Sequence, residues 1–468
     1  MRTHGIKTRR DFLRFGARTL SAVGAASAFG PAGLLCERAA AQTASDYKAL
    51  VCVFLFGGND ANNVLIPNGK AAPYLYSDYQ KVRQNLAIAQ NTLVSINDPV
   101  TKETFGLHPS LAPLGPLYAP PTGAPRLALL ANVGTLVRPM SRKADGSLDL
   151  SVVPSNLYSH SDQQQEWQNA IAAPNNSNRS FASSGWAGRL IDKYFSLANS
   201  APGFPPGIGI NGGALQLVGV TNQPTALGGD GFSVANQSES AAAGLQQMLK
   251  LPSGVTLIQS LQGSIKSAID VSNTVNSLLG GAGAIQAQFP DTGLGQALAQ
   301  VASVISVAPA GLGATRQIFF CSQGGYDTHS QQAGQHAQLL AELGGAMAAF
   351  NAYLQNAGLG NKVVTFTESD FSRTFQPNGN AGTDHAWGSH ALIMGPVKSA
   401  QIFGKFPVLA LKGPDDASND RGNWAPTTSS DQYEAELAKW FGVTKSSDLD
   451  AVFPNLNAFG YQTPSILV

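Results

Sequence analysis

Leu50-Val51-Cys52-Val53-Phe54-Leu55-Phe56, running into Gly57-Gly58-Asn59-Asp60, decides the fold of this chain. An unbroken apolar run with no polar alternation describes a strand buried on both faces, and the polar, glycine-rich tail describes a loop at its carboxyl end. Similar units recur at Arg126 to Asn132, Gln317 to Ser322 and Lys362 to Thr367, each closing in polar residues or glycine.

Between the last two runs, from about Ser330 to Asn356, Leu339, Leu340, Leu343, Met347, Phe350 and Leu354 share one stripe at helical spacing. That pattern predicts an amphipathic helix, and strand, helix, strand at this length is a βαβ unit. The chain therefore reads as α/β, with a mostly parallel central sheet, helices on both faces, and ligands expected outside the carboxyl ends of the strands. A capped helix is predicted from Asp431 to Phe441, laying Tyr433, Leu437, Trp440 and Phe441 on the sheet. The stretch 203–309 differs. It is rich in Ala, Gly, Ser and Gln, with helical patterns over Ala241 to Leu249 and Leu257 to Leu279, and reads as a helical insertion or cap punctuated by Pro252, Gly254 and Gly280-Gly281.

The amino terminus carries an address. Thr8-Arg9-Arg10-Asp11-Phe12-Leu13-Arg14 pairs two arginines with an apolar step, and an uncharged stretch follows from Leu20 to Leu35. Only mildly apolar, that stretch is shorter than the roughly 20 strongly apolar residues of a membrane-spanning helix. Ala39-Ala40-Ala41 supplies the small residues a signal peptidase needs, so residues 1–41 read as a twin-arginine signal peptide and 42–468 as the mature domain. The bulky Leu35 before Cys36 argues against lipidation. A periplasmic or secreted protein is expected, without a membrane anchor.

Removing residues 1–41 takes away seven of 30 Lys and Arg and two of 29 Asp and Glu, leaving 23 against 27. This mildly acidic balance offers no basic footprint for nucleic acid. Cys52 and Cys321 each lie in an apolar run and read as core residues, although an oxidising compartment allows a disulfide if their strands are neighbours.

The histidines gather near polar clusters at the strand ends. Gly325-Tyr326-Asp327-Thr328-His329 follows one strand, Glu368-Ser369-Asp370-Phe371-Ser372-Arg373-Thr374 follows another, and Asp384-His385-Ala386-Trp387-Gly388-Ser389-His390 leads into Ala391 to Met394. Imidazoles and carboxylates converging from several strand ends suit hard or borderline divalent metals, and two such metals suit ester hydrolysis. His108 before Pro109, and His336 beside the Leu340, Leu343 and Met347 stripe, read as structural. Ser161 with Gln164 has the pattern of a helix cap ahead of a helix from Asp162 to Ala172. Gly57-Gly58 lacks the following residues of a dinucleotide or P-loop motif.

These motifs, with Phe56-Gly57-Gly58-Asn59-Asp60-Ala61-Asn62-Asn63, Gly106-Leu107-His108-Pro109 and Tyr158-Ser159-His160-Ser161, resemble the twin-arginine-exported family called domain of unknown function 1501. That family is similar to the alkaline phosphatase and sulfatase superfamily. The resemblance covers nearly the whole mature chain and implies an alkaline-phosphatase-like three-layer sandwich. It also implies divalent metal (zinc, manganese, magnesium or calcium) held by Asp60, Asp327, His329, Asp370 and His385 or His390, with two metals, one or none all open. Ser159 is the implied nucleophile, with His160 as acid, base or ligand. Asn63 and Arg373 are candidate substrate contacts, Arg373 binding an anion or pairing with Asp370. No sulfatase-type Cys-x-Pro-x-Arg run occurs. The expected function is exported metal-dependent hydrolysis of phosphate or sulfate esters. The alternative is a non-catalytic envelope protein that keeps the fold and binds a second exported protein. Expected partners are a small anionic ester and, during export, the twin-arginine translocase.

Overall fold

The apolar runs form the centre of one large sheet. The computed structural model describes residues 46–69, 72–150, 153–174, 183–198, 200, 202, 204–227, 244, 247–249, 262, 274, 277, 282–311, 313–418 and 420–468. The expected signal peptide, and most of the helices expected over 241–249 and 257–279, lie outside the described residues.

The strands, in chain order, are β1 (Lys48–Leu55), β2 (Leu65–Pro67), β3 (Val94–Asn97), β4 (Thr104–Leu107), β5 (Leu127–Gly134) and β6 (Gly207–Ile210). They continue as β7 (Thr225–Leu227), β8 (Arg316–Gln323), β9 (Val363–Ser369), β10 (Ser389–Met394), β11 (Ile402–Gly404) and β12 (Thr428–Ser429). Nine of them make the main sheet, in the order β11-β5-β10-β9-β1-β8-β6-β7 with β12 against β5, while β2-β4-β3 form a small antiparallel sheet. Among the described residues, only β10 runs against its neighbours in the main sheet. The expected mostly parallel α/β architecture is the one observed.

The main helices are α1 (Tyr76–Arg83), α2 (His160–Asn169), α3 (Trp186–Leu197), α4 (Gly293–Gly311), α5 (Gln332–Asn356) and α6 (Ser430–Phe441). Because strand side chains alternate, β1 feeds two cores. Ala49, Val51, Val53 and Leu55 pack with α4 and α5 on one face, while Leu50, Cys52 and Phe54 pack with α3 and α6 on the other. From Ala49 to Leu55 the strand is apolar at every position for that reason. Ser429 and Gln432 close a reciprocal cap at the start of α6, which fixes where that helix begins.

Register settles the cysteines. Cys321 is opposite Val53 rather than Cys52, so the two thiols face opposite layers and both are free. The stretch 203–309 joins the main domain at both ends: β6 and β7 extend the sheet, and α4 buries Leu294, Leu298, Val301 and Ile305 in the core. Among the described residues no helix is long and apolar enough to cross a membrane.

Candidate metal centre

Three parallel strands deliver three carboxylates to one edge. Asp60 follows β1, Asp327 follows β8 and Asp370 follows β9, so all leave the sheet at its carboxyl end. The reversed strand β10 brings His385, just before it, back to the same edge. Gly57 allows these loops to meet. It sits at φ 112°, a Cβ there would collide with the Asp327 backbone nitrogen, and its N–H faces both Asp370 oxygens at 3.3 Å.

His160 opens α2, with Ser159 at the N-cap position. The cap expected at Ser161 is displaced by two residues: Ser161 lies inside the helix, and Ser159 makes no side-chain cap bond, its hydroxyl instead lying 3.2 Å from that of Ser161. One turn on, Gln164 joins His160 on Asp370 Oδ2, at 2.9 and 2.6 Å.

Three imidazoles are held in the same way. Nδ1 of His160 faces Asp370 Oδ2 at 2.6 Å, Nδ1 of His329 faces Asp384 Oδ1 at 3.3 Å, and Nδ1 of His385 faces the Tyr158 carbonyl at 2.7 Å. A carboxylate or carbonyl oxygen only accepts, so each Nδ1 carries a proton, and in the neutral form of each ring the lone pair is left at Nε2. All three Nε2 atoms turn towards Asp327 Oδ1, at 3.5 Å from His160, 3.0 Å from His329 and 3.4 Å from His385. Nε2 of His329 and of His385 are themselves 3.0 Å apart, and the buried Nε2 of His160 has no hydrogen-bond partner.

Lone pairs that converge in this way need positive charge, and Arg373 supplies part of it, donating to His329 Nε2 at 3.5 Å and to Asp327 Oδ1. Ligand imidazoles characteristically donate their other nitrogen to a carboxylate or carbonyl, as these do. Tetrahedral zinc with Zn–N bonds of 2.0–2.1 Å places its ligand atoms about 3.3 Å apart, close to the separations above. His160, Asp327 and His385 offer ligand atoms all within 4.8 Å of one another. These donors therefore fit a divalent cation. Nitrogen-rich donors favour zinc or another borderline ion over magnesium and calcium, which prefer oxygen.

The surroundings fix the charges. Burial pushes the Asp327 carboxyl up, but the hydrogen bond and charge of Arg373, with His329 and His160, outweigh it and hold the group at about 2. The hydrogen bond to Asp370 raises His160 above the usual imidazole range, whereas burial lowers His385. Phe371 follows Asp370 directly, and its ring packs against His160 and His385 at 4.8 and 4.7 Å. Asp327 and His329 keep 49% and 45% of their side-chain surface exposed, so the cluster opens to solvent on their side.

Of the residues read from the sequence, the structure brings together His160, Asp327, His329 and His385. Asp370 stands behind them on His160 rather than on the cluster itself. Asp60 is elsewhere, fully buried in an ion pair with Arg83 and held also by Gln332 and Asn62. His390 is buried, its Nδ1 accepting from the Asn132 backbone N–H, and burial lowers it to about 4. Asn63 is occupied by Tyr79, Arg83 and the Leu86 carbonyl, which leaves its amide nothing to offer a substrate. Arg373 pairs with Asp327, not Asp370, and donates to the carbonyls of Gly57, Gly58, Tyr326 and Thr383. His108 caps the following turn and His336 bonds Asn59, both in structural roles.

The supporting residues were missed in the sequence. Asp384 holds His329 and is itself held by Arg421 at 2.6 Å and Asn378 at 3.2 Å. Its signal was the Asp384-His385 pair; that of Gln164 was its spacing of four from His160. Tyr158 contributes a main-chain carbonyl, which no residue type announces.

The family model described as "Protein of unknown function (DUF1501)" matches residues 47–421. The chain belongs to this family. No curated protein matches it. Among solved structures this family member is similar to Ps i-CgsB, with 8% identity, a TM-score of 0.32, and coverage of 89% of this chain and 77% of that one. The complex of Ps i-CgsB with k-i-k-neocarrahexaose gives 9% identity and a TM-score of 0.31, over 90% and 77% of the two chains. The lipoteichoic acid synthase LtaP from Listeria monocytogenes gives 8% and 0.29, over 83% and 73%. Resemblances this distant carry no weight for the chemistry, which rests on the cluster.

Proposed function

We propose that this chain is an exported, metal-dependent hydrolase of phosphate or sulfate esters, with one divalent cation held by His160, His385 and Asp327 and with His329 beside them. The observation that carries the reading is the common orientation of three imidazoles, each proton directed outward to a fixed acceptor and each Nε2 directed inward to one carboxylate. Bound there, a cation would supply Lewis acidity towards a phosphoryl or sulfuryl oxygen. Arg373 keeps Asp327 ionised and in place. Asp370 holds the proton of His160 at Nδ1 and so fixes the orientation of that ring.

Ser159 is our candidate nucleophile. It stands at the amino end of α2, where free N–H groups and the helix dipole favour an anionic group, and its hydroxyl is not occupied in capping. Export through the twin-arginine pathway is proposed from the Arg9-Arg10 segment. That route delivers folded proteins and allows metal to be acquired beforehand.

Hydrolysis of aryl phosphates and sulfates by the zinc- or manganese-loaded protein tests the reading. Turnover should vanish with chelator and in Asp327→Ala. Ser159→Ala should abolish turnover while changing stability by less than about 0.5 kcal/mol, because no cap bond is lost. A wild type that stays metal-free and inert after metal-replete preparation would favour the non-catalytic envelope protein.

A further inference from the structure

Tyr158 joins the cluster to the surface. Its carbonyl holds His385 Nδ1 at 2.7 Å, and its hydroxyl accepts from Asn423 Nδ2 at 2.6 Å. Between those two fixed ends the residue keeps 48% of its surface exposed. An exposed tyrosine ordinarily leaves its hydroxyl to water and its ring free to swing. This one is pinned by a buried amide, and its anchor is rigid: Asp416 gathers the backbone N–H groups of Lys412, Ser418, Gly422 and Asn423, which fixes the loop that carries Asn423. A flat apolar face is thus held on a residue whose main chain touches a candidate metal ligand, one residue before Ser159.

We propose that Tyr158 is a stacking platform that selects esters of ring-bearing alcohols, aryl or glycosyl, over those of simple alkyl alcohols. The inference rests on the hydrolase reading and names its substrate class. A preorganised aromatic face binds a planar ring or the apolar face of a sugar at little entropic cost, because its rotamer is already fixed. The side chain is also separable from the metal centre, since only the Tyr158 main chain touches His385.

The test is calorimetric binding of phenyl phosphate, glucose 1-phosphate and methyl phosphate to the zinc-loaded full chain, in wild type, Tyr158→Ala and Tyr158→Phe. Zinc content and circular dichroism confirm that each variant is loaded and folded. Ring esters should bind wild type more tightly than methyl phosphate, and Tyr158→Ala should weaken them roughly two- to tenfold relative to methyl phosphate. Tyr158→Phe should keep the preference. Loss confined to phenyl phosphate identifies an aryl substrate, and loss confined to glucose 1-phosphate a glycosyl one. Equal binding of all three esters by wild type, or a Tyr158→Ala variant with the preference intact, overturns the platform and leaves the hydrolase reading standing. Failure of all three to bind zinc-loaded wild type removes the hydrolase reading and the platform with it.

Discussion

Two clusters at the same sheet edge use the same parts to opposite ends. In each, an arginine grips a carboxylate near three histidines: Arg373 on Asp327 with His160, His329 and His385, and Arg83 on Asp60 with His108, His336 and His390 within electrostatic reach. The difference lies in where the imidazole nitrogens point. Around Asp327 they converge on the carboxylate in a setting open to solvent. Around Asp60 the rings are buried and turn to other partners, Ser110 N, Asn59 Oδ1 and Asn132 N. Residue type alone therefore does not mark a metal site. The distinction we propose is the direction of the lone pairs.

The largest expected effect that separates the clusters is on stability. Asp60→Ala removes the countercharge of the fully buried Arg83, leaving it only the neutral oxygens of Asn63, Thr374 and Phe375, and should destabilise the fold by about 3–5 kcal/mol in urea unfolding. The Asp327→Ala change should be much milder, because Asp327 is half exposed and Arg373 retains its four carbonyl partners. Comparable losses at the two positions would break the distinction.

Next in size is a titration difference. Burial lowers His108, His336 and His390 each to about 4. Held neutral in the fold but free to protonate near 6.5 when unfolded, each should withdraw stability as pH falls from about 6.5 towards 4, its contribution being whole above 6.5. Behind the sheet, burial holds Glu368 and Asp431 protonated up to about 8 and 7, and they act in the opposite sense, gaining stability as pH falls. Imidazole resonances followed by NMR are therefore a cleaner readout than melting curves. All three inner rings should remain neutral at pH 5.5, and a midpoint near 6.5 for any of them would mean that its burial is wrong.

Smaller still is the effect of the supporting carboxylate. Asp370→Asn cannot accept the His160 proton as a carboxylate does, and should weaken metal affinity roughly 10- to 100-fold while leaving the ligand atoms in place. An unchanged affinity in a competition titration would show that the orientation of His160 does not depend on Asp370.

How much of this was legible follows from where the information lies. β1, β8 and β9 are buried on both faces over most of their length, so their apolar runs stand out. β6 is only Gly207-Ile208-Gly209-Ile210, and its place in the sheet comes from pairing with β8, a tertiary contact that leaves no local pattern. At the site, His329 and His385 were readable because they sit in polar clusters at strand ends. Asp60 was misleading: its partner Arg83 closes the polar helix α1, which reads as a solvated surface, yet it is fully buried. His390 misled for a related reason. It stands five residues after His385, but β10 has begun by then and carries it into the core.

The most direct test of the account is elemental analysis of metal-replete, chelator-free protein in three forms: wild type, His160→Ala and His390→Ala. One zinc or manganese ion per chain is expected in wild type and in His390→Ala, with loss in His160→Ala. Metal that survives His160→Ala but disappears in His390→Ala would place the centre at the wrong cluster and contradict the account.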